Sequence, residues 1–447
     1  MYFYQKISLI SSSIFLILFS CSGSEDAAAQ IAVEDATTKA PNIVFIIADD
    51  MGWDVFGKYI GDAANKASTP VLDSLATRGV TFTNFWANPE CSPTRAAILT
   101  GRYGFRTSVG GVESPQVGYL KSTETVIQKY INDNTSNAYA TALIGKWHVS
   151  LNSQLDAPES FGIQYYSGFL NGAVSDYYNW TQTSNGVQST ITTYATTQFV
   201  DQSVAWMKQQ TKPFFLWLAF NAPHTPFHRP PLNLISDQSL SDDAATINTN
   251  PFPYYLASIE AMDKEIGRMI HSMTAEQKEN TVFVVIGDNG TPSRVARTPY
   301  TSSTVKSTLY QGGVNTPMII CGKNVSRVNQ IETSLVQAPD LFVTFADIAG
   351  TGTTVYQDGV TVKPLLSNSA ATKRTFAYSE LFTSVGYDNE GYTLRNDSYK
   401  LIHLTTGSEL LYKISSDPFE QSNLLLSTLS SEAQTNLDNL RQVKLNL

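Results

Sequence analysis

The apolar and polar positions of this chain alternate between continuous β-branched runs and helical stretches. Residues 42–48 (NIVFIIA) form an uninterrupted apolar run, the pattern of a strand buried on both faces of a parallel sheet. Comparable runs occur at 214–220, 281–287 and 317–321, and helical patterns lie at 69–78, 92–100, 254–273 and 338–349. Strands alternating with helices predict an α/β fold, a large mostly parallel sheet sandwiched by helices. After about residue 370 the pattern changes. Short strands at 376–381, 392–394, 399–404 and 410–414, then a helix from about 430, predict a smaller C-terminal antiparallel-sheet subdomain. The expected division is therefore 41–370 and 371–447.

The N-terminus reads differently. Lys6 precedes an apolar, Ser-interrupted stretch, 7–20, too short to span a bilayer comfortably, as in an export signal covering residues 1–20. Leu18-Phe19-Ser20-Cys21 then resembles a bacterial lipoprotein box, with Cys21 as the lipidated residue and 21–40 as a small, polar, acidic tether. The alternative is an ordinary cleaved signal, leaving a periplasmic or secreted protein. The only membrane contact expected is through such a lipid anchor.

Composition narrows the partners. The 447 residues carry 30 Lys and Arg against 39 Asp and Glu, a net charge of −9, with no basic run, which argues against nucleic acid. An acidic chain that handles an anionic substrate must concentrate cations or a metal locally. Of three cysteines, Cys21 belongs to the signal, so no disulfide framework is expected. Cys321 ends an apolar run and reads as an inert core residue. Cys91 stands among polar, helix-starting residues.

Candidate chemistry gathers at strand ends, where open α/β sheets place their sites. Asp49 and Asp50 follow the first run, and Asp288 and Asn289 follow the run at 281–287. All are hard oxygen donors, suited to calcium or magnesium better than zinc. Either pair alone could simply shape a turn; both together at one edge weaken that reading. Cys91-Ser92-Pro93-Thr94-Arg95 opens a helix with Pro93 in its first turn, placing Cys91 and Arg95 on one face beside an anion-attracting N-terminus.

CSPTRAAILTGR resembles the C-x-P-x-R signature of the type I sulfatases in the alkaline phosphatase superfamily. The likeness extends from PNIVFIIADDMGWDV through Gly145-Lys146-Trp147-His148, Ala222-Pro223-His224-Thr225-Pro226, Gly287-Asp288-Asn289-Gly290, and Lys306 before Tyr310-Gln311-Gly312-Gly313-Val314. It ends at Asp417-Pro418-Phe419-Glu420-Gln421-Ser422-Asn423-Leu424. The resemblance implies that Cys91 is oxidised to formylglycine by a formylglycine-generating or sulfatase-maturating enzyme. It also implies one calcium ion held by Asp49, Asp50, Asp288, Asn289 and residue 91. The hydrated aldehyde would attack sulfur beside Arg95, His224 assisted by Lys306 would protonate the leaving oxygen, and His148 would take the proton that lets sulfate depart.

The residues also have readings of their own. Lys146 and His148 share a face if their segment is extended. His224 sits beyond a strand end between two prolines, whereas Pro226 prevents helical spacing to His228, which is either a substrate contact or packing. His271 and His403 lie outside the motifs. Asp49, Asp50 and Asp288 balance Arg95, Lys146 and Lys306, so a divalent ion would turn a neutral pocket into one that attracts an anion. Tyr177, Tyr178 and Trp180 could stack on a sugar or pack internally. The expected function is hydrolysis of sulfate esters on a sulfated polysaccharide or oligosaccharide. The alternatives are a phosphatase or phosphodiesterase on the same scaffold, and an inactive surface glycan-binding protein.

Overall fold

The computed structural model describes residues 39–57, 65–112, 118–371, 374–382 and 391–447. The expected signal, Cys21 and the tether up to residue 38 lie outside the described residues. In chain order the first strands are β1 (Asn42–Asp49), β2 (Gly79–Trp86), β3 (Ala140–Lys146), β4 (Tyr165–Phe169), β5 (Trp180–Ser184) and β6 (Val187–Ile191). They are followed by β7 (Phe214–Pro223), β8 (Thr281–Gly287), β9 (Asn315–Gly322), β10 (Gln330–Glu332) and β11 (Val336–Gln337). These build an 11-stranded sheet ordered β10-β2-β9-β8-β1-β7-β3-β4-β5-β6, with β11 also on β2.

Strand β1 explains the uninterrupted apolar run. Ile43, Phe45 and Ile47 enter one core, and Val44, Ile46 and Ala48 enter the other, all fully buried. Successive side chains point to opposite faces, so a strand covered on both sides has no polar position to spend. The main helices are α1 (Pro70–Thr77), α2 (Cys91–Thr100), α3 (Ile127–Asn134), α4 (Ala195–Met207), α5 (Phe252–Ser272), α6 (Ala338–Ile348) and α7 (Ser431–Leu445). Helices α2, α3 and α6 fill one core with Ile98, Ile131 and Phe342; α1, α4 and α5 fill the other with Leu72, Phe199 and Ile266. Each such side chain contributes about 1.5–3 kcal/mol on burial. Among the described residues no helix is long and apolar enough to cross a membrane.

Strands β8, β1, β7, β3 and β4 run parallel. The run at 317–321 belongs to β9, which is antiparallel to both β2 and β8. An apolar run records burial and carries no direction, so the pattern alone could not show that this strand is antiparallel to its neighbours. After a short hairpin of β12 (Val355–Tyr356) and β13 (Gly359–Val360), four strands form the expected antiparallel sheet. These are β14 (Ala377–Leu381), β15 (Gly391–Arg395), β16 (Lys400–His403) and β17 (Glu409–Tyr412), in that order. Helix α7 closes it through Ala433, Leu437 and Leu440.

This small sheet reaches back to the larger one. Ser379 Oγ donates to Ala87 O or Asn88 Oδ1, each 3.0 Å away, just before α2. Glu420 accepts the Gln311 backbone N–H at 2.5 Å and pairs with the buried Lys400 at 2.5 Å. It thereby pins the segment that follows Lys306.

Candidate active site

Four neighbouring parallel strands, β8-β1-β7-β3, deliver their carboxyl ends to one edge of the sheet. They carry Asp288 and Asn289, Asp49 and Asp50, His224, and Lys146 respectively. Helix α2 adds Cys91 as its first residue and Arg95 one turn later, and Glu90 at its N-cap makes no side-chain cap bond. Lys306 arrives on the connection between β8 and β9. Immediately before Lys146 the backbone needs glycine. Gly145 has φ +105°, and a Cβ there would stand 1.8 Å from Ala219 O.

The balance of three acids and three bases expected at this site resolves into three ion pairs. Lys146 Nζ donates to Asp49 Oδ2 at 2.7 Å, with both side chains fully buried. Arg95 donates through Nε and Nη2 to Asp288 Oδ2 at 3.0 and 2.7 Å. Lys306 Nζ donates to Asp50 Oδ1 at 2.5 Å and lies 3.8 Å from Cys91 Sγ. Cross-links tie the pairs together. Arg95 Nη1 donates to Lys146 O at 3.0 Å, the Asp50 N–H to Asp288 Oδ1 at 3.1 Å, and Asn289 Nδ2 to Asp50 Oδ1 at 2.7 Å.

Ionisation follows this arrangement. Burial pushes Asp49 up, but Lys146, His224, Arg95 and Lys306 outweigh it and hold the carboxyl below its ordinary range. Burial would lower Lys306, yet Asp50 keeps it well above its ordinary value and cationic. Burial, Lys146 and Arg95 hold His148 well below the usual histidine value, so its ring is a neutral proton acceptor at neutral pH. Burial raises the Cys91 thiol against Lys146 and Lys306, so the unmodified side chain is a protonated, unreactive thiol.

The carboxylate and amide oxygens at this site fit a hard cation. Asp49, Asp50, Cys91 and His224 each present a ligand atom within 4.8 Å of the others. Asp49 Oδ1 and Asn289 Oδ1 are buried and meet no hydrogen-bond donor among the described residues. A buried acceptor left so costs about 1–3 kcal/mol, and a cation would satisfy both. Asp288 and Asn289 join the group through Asp50, while both Asp288 oxygens already accept bonds. His224 belongs to the same cluster, although the family resemblance implied the role of acid alone. Its Nδ1 donates to Thr225 O at 2.9 Å, which leaves Nε2 open, 3.7 Å from Asp50 Oδ2.

Other expectations divide. Lys146 and His148 do not share a face by strand alternation: β3 stops at Lys146 and His148 takes φ +58°, in the left-handed region. Such strain in a non-glycine residue persists only where its surroundings enforce it. Gly172 makes room for this ring, since a Cβ there would lie 2.7 Å from His148 Nε2. Tyr177 is buried and holds the His224 backbone, donating to its carbonyl at 2.8 Å while accepting from Asn221 Nδ2 at 2.7 Å. His228 stacks on Tyr177 at 3.8 Å, so it packs beneath the site; burial lowers it to about 4. Trp180 packs against Phe169 and Phe199 and is unavailable to a sugar, whereas Tyr178 is exposed. His271 bonds Gly267 O on its own helix, and His403 stacks on Tyr392; neither approaches the site. Tyr255, which donates to Asp50 O at 2.8 Å, was not foreseen, because nothing in local spacing links it to residue 50.

Comparison with known proteins bears on this geometry. The Sulfatase family model matches residues 41–351. The chain belongs to the sulfatase family. This sulfatase also matches, over residues 304–445, the model for the C-terminal region of N-sulphoglucosamine sulphohydrolase. It is 26% identical over 424 residues to arylsulfatase G of Rattus norvegicus, covering 83% of this chain and 77% of that one. Its fold resembles that of Ps i-CgsB in complex with k-i-k-neocarrahexaose (TM-score 0.74, 24% identity, 90% and 92% of the two chains). It also resembles BT4656 in complex with its substrate D-glucosamine-2-N,6-O-disulfate (TM-score 0.71, 21% identity, 91% and 97%). The sulfatase is a sulfuric ester hydrolase, which sets aside the phosphatase and the inactive binding protein.

Proposed function

We propose that this sulfatase removes sulfate from a sulfated polysaccharide or oligosaccharide, using a formylglycine formed from Cys91 and one calcium ion. Asp49, Asp50, Asp288, Asn289 and residue 91 would hold the ion. The carrying observation is the position of Cys91: a buried helix-start residue beside Lys306, in one cluster with Asp49, Asp50 and His224. The carbohydrates bound by Ps i-CgsB and BT4656 support the substrate class. When present, the hydrated aldehyde supplies the oxygen that accepts the sulfuryl group, and calcium supplies positive charge beside it.

The chain's own side chains do the rest. Lys146 and Lys306 present charge to the sulfuryl oxygens, and Arg95 fixes Asp288 and the Lys146 backbone, so the electrostatic stabilisation is built before substrate arrives. His224, its Nδ1 anchored on Thr225 O, turns Nε2 toward the leaving sugar oxygen and would give it a proton as the imidazolium, with Lys306 across the same cleft. The neutral His148 takes a proton as sulfate is released. A maturating enzyme is the required partner, and the protein is exported, as a lipoprotein through Cys21 or otherwise into the periplasm or medium.

The test combines mass and turnover. A peptide spanning residue 91 from active enzyme should be lighter by about 18 Da, as aldehyde replaces thiol. Cys91→Ser should be folded and fail to turn over, and calcium should restore chelated wild-type enzyme better than zinc. Sustained turnover by protein with an unmodified Cys91 would sink the mechanism.

A further inference from the structure

Beyond the residues that grip sulfate, a cleft of about 220 Å³ opens on Asp50, His224 and Lys306, with Phe227 and Arg294 in its outer wall. We propose that this cleft receives the ring released by the reaction and that Arg294 binds a second negative charge on that ring, a carboxylate or another sulfate. The inference rests on the sulfated-carbohydrate reading above and narrows its substrate class to doubly anionic sugars.

The cleft is smaller than the ~300–1,000 Å³ typical of pockets for drug-sized ligands, which leaves room for about one ring. Its wall is built by the loops that carry the chemistry. Phe227 lies three residues after His224, and Arg294 five after Asn289, in a short 3-10 turn, Ser293–Val295, anchored by the fully buried Val295. Phe227 is oriented by edge contact with Tyr255, the residue that holds the Asp50 carbonyl. The Arg294 guanidinium stands 5.8 Å from the Phe227 ring centre.

In the wall of this cleft Arg294 keeps neutral company. Its Nη2 donates to Asn248 O at 3.0 Å and Asn248 Oδ1 at 2.8 Å, both neutral acceptors. Among the described residues no carboxylate comes within ion-pair distance of it, in a chain where acids outnumber bases 39 to 30. Arg229, in contrast, pairs with Asp242, and Arg268 with Asp201 and Glu265. Asn248 thus holds one edge of the guanidinium and leaves Nε and Nη1 for a planar or tetrahedral anion. Asp50 in the same cleft is already balanced by Lys306, so the wall adds positive charge where a neutral leaving group would need none.

The experiment compares wild type, Arg294→Ala and Arg294→Lys, each verified for formylglycine and thermal midpoint. The substrates are 4-nitrophenyl sulfate, singly sulfated neutral sugars, doubly sulfated sugars and sulfated uronate disaccharides. A hydrogen-bonded charge contact predicts that Arg294→Ala raises KM for doubly anionic sugars by about 10- to 100-fold, with a much smaller loss on 4-nitrophenyl sulfate. Arg294→Lys should fall between. Dependence confined to uronates identifies the partner as carboxylate; dependence confined to disulfates identifies it as sulfate. Equal losses on all substrates, or no loss on any, overturn the proposal. Wild type that cleaves no sulfated sugar, yet cleaves 4-nitrophenyl sulfate, defeats the carbohydrate reading instead.

Discussion

Asp288→Ala should destabilise the protein as well as inactivate it, and the size of the effect follows from its partner. Arg95 is 1% exposed and Asp288 is 0% exposed; the carboxylate receives two of the guanidinium's N–H bonds. Removing it leaves a buried cation hydrogen-bonded only to the Lys146 carbonyl, with the charge of Asp49 still acting on it. Breaking one side of such a pair costs about 3–5 kcal/mol. For a unit spanning residues 39–447, unfolding entropy of about 2.1 cal/mol/K per residue gives about 0.9 kcal/mol/K. The midpoint should therefore fall by about 4–6 °C. The assay is calorimetry at pH 7.5 with chelator present, so that metal binding does not shift the native state. At that pH Asp288 is ionised, since burial and then Asp49 push it up only to about 6. Arg95→Met combined with Asp288→Ala removes both charges and should recover most of the loss, because the destabilisation comes from the stranded partner. A single mutant melting within 1 °C of wild type, or a double mutant worse than either single one, would refute the reasoning.

His224→Ala should lower turnover of a sugar sulfate by about 10²- to 10⁴-fold and an activated aryl sulfate far less, because a phenolate leaves without a proton. His148→Ala should bring the two substrates to similar rates; equal His224→Ala losses on both would remove its role as the acid. Asp263 accepts the Val71 and Leu72 N–H groups at 3.0 and 2.8 Å, at the start of α1, and burial raises it from 3.8 to about 6. A raised folded value means its contribution is complete below pH about 4 and lost as pH rises through about 6. Asp263→Asn should therefore gain on wild type between pH 4 and pH 7, by at most about 3 kcal/mol in urea melts. A stability difference that ignores pH would contradict this.

What could be read from the chain was whatever burial writes into local pattern. The runs at 42–48 and 281–287 marked strands because both faces are covered, and residues placed directly after them, Asp49, Asp50, Asp288 and Asn289, could be assigned to one edge. Cys91 and Arg95 were legible because helical spacing alone brings them together. Strand β6, largely exposed at the sheet's edge, has no apolar face to announce it. His148 escaped the alternation argument because its position depends on a left-handed turn that no period encodes. Arg294, Gly172 and Tyr255 act through contacts between distant segments, for which a single sequence carries no local mark.

The closing of the small sheet over Ala87 and Asn88 also sets an order in time. Ser379, which bonds that segment, is made 291 residues after Asn88, and β7 and β8, the neighbours of β1, also follow Cys91 in the chain. At roughly 5–20 residues per second, about 15–60 s of synthesis separate Asn88 from Ser379, the residue that bonds the segment just before α2. In the finished protein residue 91 is 1% exposed. A protein that acted on that side chain, as proposed above, would meet it most easily before Ser379 and the residues after it are in place. The fold acts as a clock as well as a container.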